Sequence, residues 1–149
     1  MFHYTSCGLS NVHLRNGYEE IDTPYGKAVS IHDVEGLHRA IGLHMIRNNP
    51  DHLNPEEIRF LRKEMDLPQA NLAHLLDVNE SSVRNWENGR NAIPGPADRM
   101  LRTLYAEKVQ GDGTVHELLE RISRINRELY EKKAIELEES EDGWVAQAA

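Results

Sequence analysis

Leu67-Pro68-Gln69-Ala70-Asn71-Leu72-Ala73-His74-Leu75-Leu76-Asp77-Val78-Asn79-Glu80-Ser81-Ser82-Val83-Arg84-Asn85-Trp86-Glu87-Asn88-Gly89-Arg90 is the stretch that decides the fold. Pro68 opens a short helix carrying Leu72, Ala73, Leu75 and Leu76. Asn79-Glu80 opens a second, which runs through Trp86 and ends where Gly89 supplies a positive-φ residue. Three residues, Asp77-Val78-Asn79, join the two. The second helix has Val83 and Trp86 on one face and short polar or basic residues on the other. It is therefore expected to pack by one face and present the other.

Helical signals continue on both sides. Asn54-Pro55-Glu56-Glu57 reads as an N-cap, a proline at the first helical position and acids on the positive end of the helix dipole. Ile58, Leu61 and Met65 then form an apolar stripe. Pro94-Gly95-Pro96 precedes a further helix with Met100, Leu101, Leu104 and Tyr105. These elements define a helical domain over residues 54–109. Before it, residues 1–49 read as strands and then a helix. Asn16-Gly17 is a hairpin signal between Val12–Arg15 and Tyr18–Ile21, because a type I′ turn needs positive φ at both central residues. Thr23-Pro24-Tyr25-Gly26 is a second turn, and Val29 and Ile31 alternate after it. A three-stranded antiparallel β meander is expected, covered by a helix that Asp33 caps and that carries Val34, Leu37, Ile41 and Met45.

Beyond Gly111-Asp112-Gly113, a long helix is expected over residues 114–137, capped by Thr114. Val115, Leu118, Ile122, Ile125 and Leu129 recur at alternating steps of three and four, the pattern of a dimer seam. The same pattern also suits a helix packed on its own domain. Residues 138–149 form an acidic tail, expected to lack order unless a partner holds it. The fold class expected is mostly α, with a five-helix-type core, an N-terminal antiparallel β meander plus helix, and a long C-terminal helix.

Composition narrows the function. The chain has 149 residues and a formal charge of −8. That argues against a protein that coats nucleic acid without regard to sequence. The acidity is uneven: residues 106–149 hold 11 acids against 6 bases, whereas residues 55–105 hold 8 against 7. A single cysteine, Cys7, excludes an internal disulfide and four-thiol zinc sites. No apolar run is long enough for a membrane span, and Met1-Phe2-His3-Tyr4 does not open a secretory signal. A cytoplasmic protein without membrane contact is expected.

Two short helices of this kind have the shape of a helix-turn-helix, whose second helix enters the DNA major groove. Arg84 suits guanine O6 and N7, Asn85 suits adenine N6 and N7, and Ser81 and Ser82 are less selective partners. The elements Pro68-Gln69, Leu72-Ala73, Leu76-Asp77-Val78 and Trp86-Glu87-Asn88-Gly89 resemble the lambda-repressor/Cro-type helix-turn-helix, the Xre family. The resemblance covers about a third of the chain. It implies that Gln69, Asn88 and Arg90 hold DNA phosphates, and that Arg62 pairs with Glu87 to brace one helix against another. Pro68 replaces the usual Ser or Thr, and Asp66 and Asp77 stand where the family often has glycine. Asp tolerates the left-handed region better than most residues. Glu80 adds an acid at a position that often faces DNA.

Other constellations carry less. His3, Cys7 and His13 match no ordinary zinc spacing. His116-Glu117-Leu118-Leu119-Glu120 lacks the second histidine of a zinc-protease motif. No metal, no cofactor and no enzymatic activity are expected. The expected partners are double-stranded DNA, a second copy of the chain and a further protein, a toxin or another. The reading is a sequence-specific, repressor-like, dimeric transcriptional regulator. Its alternatives are an antitoxin-like autorepressor that binds a toxin, and an interaction scaffold whose helix-turn-helix has lost DNA binding.

Overall fold

The computed structural model describes residues 1–124 and 134–146. Among them are four N-terminal strands, β1 (Phe2–His3), β2 (His13–Leu14), β3 (Tyr18–Thr23) and β4 (Gly26–Ile31). Six helices follow: α1 (Val34–Asn48), α2 (Pro55–Glu64), α3 (Gln69–Leu76), α4 (Glu80–Glu87), α5 (Gly95–Gln110) and α6 (Thr114–Arg124). Two strands, β5 (Leu137–Ser140) and β6 (Gly143–Ala146), come last. The chain is thus mostly helical, with small antiparallel two-stranded sheets.

Local chemistry explains the helix boundaries. Asn54 accepts from the Glu57 N–H at 2.8 Å while Glu57 accepts from the Asn54 N–H at 2.9 Å, a complete capping box at the start of α2. Asp33 caps α1 from a left-handed conformation and accepts from Gly36 N–H. Asp66 and Asp77, both at φ 54°, close α2 and α3. After each, the next N–H reaches back five residues: Leu67 to the Arg62 carbonyl and Val78 to the Ala73 carbonyl. This Schellman-type closure satisfies orphan carbonyls without a glycine. Gly89, at φ 82°, does the same after α4, where Arg90 N–H reaches Asn85.

One buried cluster joins most of the chain. Ile58, Leu61, Leu72, Val83, Trp86, Ile93, Leu101, Leu104 and Tyr105 form its centre. Met45 of α1 and Leu9 of the N-terminal segment belong to the same cluster, so residues 1–49 pack against the helical domain directly. Gly42 makes this close approach feasible: a Cβ there would lie 2.1 Å from the Tyr105 hydroxyl. The connection between α1 and α2 is also tied down. Buried Asp98 accepts from Leu53 N–H at 2.6 Å and from Arg102 Nε at 2.8 Å. The Arg102 guanidinium donates further to the carbonyls of Ile46, Asn49 and Asp51. A second chain of polar contacts runs from Tyr4 through His38 to Glu64, at 2.8 and 2.6 Å, and links the N-terminal segment, α1 and α2.

Several expectations are corrected, among them the helix over residues 114–137: residues 134–136 are not helical and Leu137 opens β5. The N-terminal strands do not form a three-stranded meander. β2 pairs with β1, and β3 pairs with β4 across the Pro24-Tyr25 turn. Gly17 does take a positive φ of 80°, yet it leads from one pair to the next rather than closing a hairpin. α1 covers α2 and α5 instead of the strands. The acidic tail is not without order: β5 and β6 pair in register from Leu137↔Ala146 to Ser140↔Gly143. At the start of α6, Asp112 rather than Thr114 is the acceptor, taking the Thr114 N–H at 3.0 Å. Of the expected dimer seam, Val115 packs against the chain's own core together with Leu119, because α6 lies along α3 and α5. Leu118 and Ile122 remain 53% and 55% exposed. Ile125 and Leu129 lie outside the described residues.

Candidate nucleic-acid interface

α3 and α4 are held at their mutual angle from behind. Val83 and Trp86, at 0% and 4% exposure, anchor α4 in the core, and Leu72 and Ala73 anchor α3. Behind α4, Glu87 is buried at 3% exposure. Arg62 Nε and Nη2 donate to its two carboxylate oxygens at 2.7 and 2.8 Å, and Arg62 Nη1 donates to the Leu67 carbonyl at 3.0 Å. One guanidinium therefore fixes α4 to α2 and also fixes the turn before α3. Bidentate charge-assisted pairs of this kind specify geometry as well as adding energy. Arg59, unremarked in the sequence, adds a second tie: its Nη2 donates to the Glu87 carbonyl at 2.7 Å. Both arginines lie on the α2 face turned toward α4.

The opposite arc of α4 faces solvent. With about 100° between successive residues, Ser81, Arg84, Asn85 and Asn88 fall on one arc, away from Val83, Trp86 and Glu87. Ser81, Arg84 and Asn88 are exposed and Asn85 is half-buried. Ser82 sits off the arc, half-buried on the Trp86 side. Gln69 is half-buried as the first residue of α3, after Pro68, which makes no side-chain cap. Asn88 and Arg90 are exposed beyond the end of α4, where Asn88 Oδ1 accepts the Arg90 N–H at 3.0 Å. The residues named for base contact and phosphate contact thus occur on two adjoining short helices and the loop that follows.

Arg84 is not free. Its Nη2 lies 3.6 Å from Glu80 Oε1, one turn earlier on α4, with both side chains about half exposed. Such exposed pairs are weak, about 0.3–0.5 kcal/mol. The guanidinium can leave Glu80 for a better acceptor at small cost.

The groups rejected as a metal site are otherwise engaged. His3 and His13 stack with ring centroids 4.4 Å apart, and His3 Nε2 contacts the Ser10 carbonyl at 2.7 Å. Among the described residues no cluster of His, Cys, Asp or Glu has the arrangement of a metal site, and no helix is long and apolar enough to cross a membrane.

Residues 58–97 match a family model described as helix-turn-helix. Neither the curated proteins nor the solved structures contain a match to the chain.

Proposed function

With residues 58–97 a DNA-binding helix-turn-helix domain of the lambda-repressor/Cro type as the premise, we propose that the chain is a sequence-specific, repressor-like regulator that works as a dimer. The observation that carries this reading is the single solvent-facing arc of Ser81, Arg84, Asn85 and Asn88 on a helix whose other side is locked in the core. A major groove admits one helix and offers a distinct donor and acceptor pattern for each base pair. In the proposal Arg84 and Asn85 read bases, Ser81 and Ser82 assist, and Gln69, Asn88 and Arg90 hold the flanking phosphates. Arg62 and Glu87 touch no DNA and keep α4 in place.

Two copies are needed because one eight-residue helix reads few base pairs. Leu118 and Ile122 of α6 are the apolar residues available for the contact, and the same spacing continues along the sequence at Ile125 and Leu129. Half-sites about 34–36 Å apart, or a multiple of that, fit such a dimer.

The test is selection of bound sequences from a random duplex library at near-physiological salt, with the wild type and with Arg84→Ala and Asn85→Ala. The expected result is an inverted repeat, with each variant losing about 1–3 kcal/mol of preference at one position per half-site. A single half-site removes the dimer. The Glu80–Arg84 ion pair favours a second reading, a helix-turn-helix kept as an interaction scaffold. Absence of enrichment at any salt establishes that reading over the first.

A further inference from the structure

The β3–β4 ribbon is uncovered. Every side chain from Glu19 to Ser30 is exposed, Tyr25 at its tip completely and Ile21 to 46%. A two-stranded ribbon is marginal in water; a third strand or a covering layer is what makes such a structure stable. Among the described residues the ribbon is anchored at its base, where Tyr18 meets Phe2 with ring centroids 5.2 Å apart and Ile31 is half-buried.

Its hydrogen-bond phase identifies the groups left over. His32 N–H donates to the Gly17 carbonyl at 2.8 Å, so Gly17↔His32 is a hydrogen-bonded pair. Bonded and non-bonded pairs alternate in an antiparallel ladder. Glu19, Ile21 and Thr23 therefore bond to Ser30, Ala28 and Gly26, while the N–H and C=O groups of Tyr18, Glu20 and Asp22 point outward from the β3 edge. None of these three N–H groups has a partner among the described residues. The side chains of Glu20 and Asp22 stand on one face of the same strand, and Lys27 is the only base between residues 18 and 31.

We propose that the outer edge of β3 is a docking strand for a protein partner that presents an extended basic segment, added to the ribbon as a third strand. Backbone hydrogen bonds to Tyr18, Glu20 and Asp22 hold the segment, and cationic side chains at alternate positions meet the two carboxylates. A second copy does not suit this edge, because β3 against β3 sets Glu20 and Asp22 beside the same acids. Duplex DNA is excluded by the sign of the charge. The site is independent of α4.

The experiment uses the full chain labelled with nitrogen-15 and two capped heptapeptides at millimolar concentration, one alternating lysine and valine, the other glutamate and valine. The expected result is amide exchange slowed at least about threefold at Tyr18, Glu20 and Asp22 by the lysine peptide and unchanged by the glutamate peptide. Glu20→Lys with Asp22→Lys reverses the preference between the two peptides. Equal protection by both peptides, protection at Lys27, Val29 and Ile31 instead, or no protection at β3 overturns the proposal. Protection at β3 that rises with protein concentration in the absence of peptide also overturns it, and assigns the edge to a second copy.

Discussion

Replacing Arg62 by Met keeps the length of the side chain and removes its charge. The loss is three hydrogen bonds, two to Glu87 at 2.7 and 2.8 Å and one to the Leu67 carbonyl at 3.0 Å. The side chains of Arg62 and Glu87 are 11% and 3% exposed, so solvent screens the pair little. Breaking a buried pair by removing one partner costs about 3–5 kcal/mol, most of it the stranded charge. Arg59 lies 3.7 Å from Glu87 and its side chain is 42% exposed, so it offsets part of the loss. The expected cost is at the lower end, about 3 kcal/mol, a large share of a total stability of about 5–15 kcal/mol. In urea, with a slope near 2 kcal/mol per molar, the midpoint falls by about 1.5 M. Tryptophan fluorescence reads this well, because Trp86 is buried beside Glu87 in sequence while Trp144 is already 69% exposed. Arg62→Met combined with Glu87→Leu removes both charges and is expected to recover most of the loss. A single variant within about 0.5 kcal/mol of wild type, or a double variant as unstable as the two singles added, refutes the reasoning.

Glu80→Gln releases Arg84 and removes an acid from the proposed DNA face, so affinity for the selected duplex is expected to rise about two- to threefold at fixed salt; titration by anisotropy measures it, and an unchanged or lower affinity removes the ion pair from the mechanism. Burial pushes the Tyr105 hydroxyl up to about 12, from an ordinary value of 10.0. Between those values the folded chain holds a proton that the unfolded chain releases, so stability falls as pH rises from 10 toward 12. Tyr105→Phe is expected to flatten that fall in denaturation midpoints measured across the range, although the Tyr4 hydroxyl, also raised by burial, leaves part of it. Leu118→Gln with Ile122→Gln is expected to convert a dimer to a monomer by sedimentation with stability changed by less than about 0.5 kcal/mol, since both residues are half exposed. Val115→Gln is expected to lower stability by about 1–3 kcal/mol, because Val115 packs against the chain's own core.

The helices were legible where short-range chemistry determines them. The Asn54 capping box, the paired apolar residues of α3 and α4, and Gly89 all act within one or two turns, and the structure places α2, α3 and α4 between them. Strand pairing was not legible, because it joins residues distant in sequence. His13-Leu14 pairs with Phe2-His3, across a segment whose Leu9 is drawn into the helical core. Asn16-Gly17 reports only a local bend and does not name the partner strand. The tail misled for the opposite reason: Glu138, Glu139, Glu141 and Asp142 suggest disorder by composition, whereas Leu137, Trp144 and Val145 favour extended pairing by position. On α6, a three-four repeat shows that one face is apolar and does not say what covers it. Val115, which belongs to that repeat, and Leu119, one position past Leu118, proved to face inward. In the candidate interface, which side of α4 faces out follows from Val83 and Trp86 alone. The Arg59 tie and the Glu80–Arg84 pair depend on how helices and rotamers meet, which spacing does not encode.

The network around Asp98 and Arg102 bears on how far the helix-turn-helix domain is portable. Arg102 grips the chain at Ile46, Asn49 and Asp51, and Asp98 grips it at Leu53, so the passage from α1 to α2 is clamped along α5 rather than slack. Excised as residues 54–109, the domain would surrender the three carbonyl acceptors of the Arg102 guanidinium and bare the flank of α5 that Met45 covers. Grafting α2 to α5 onto another protein is therefore a poor route to a transferable DNA reader. For the same reason, a load applied to the end of α1 is passed to α5 without a hinge in between.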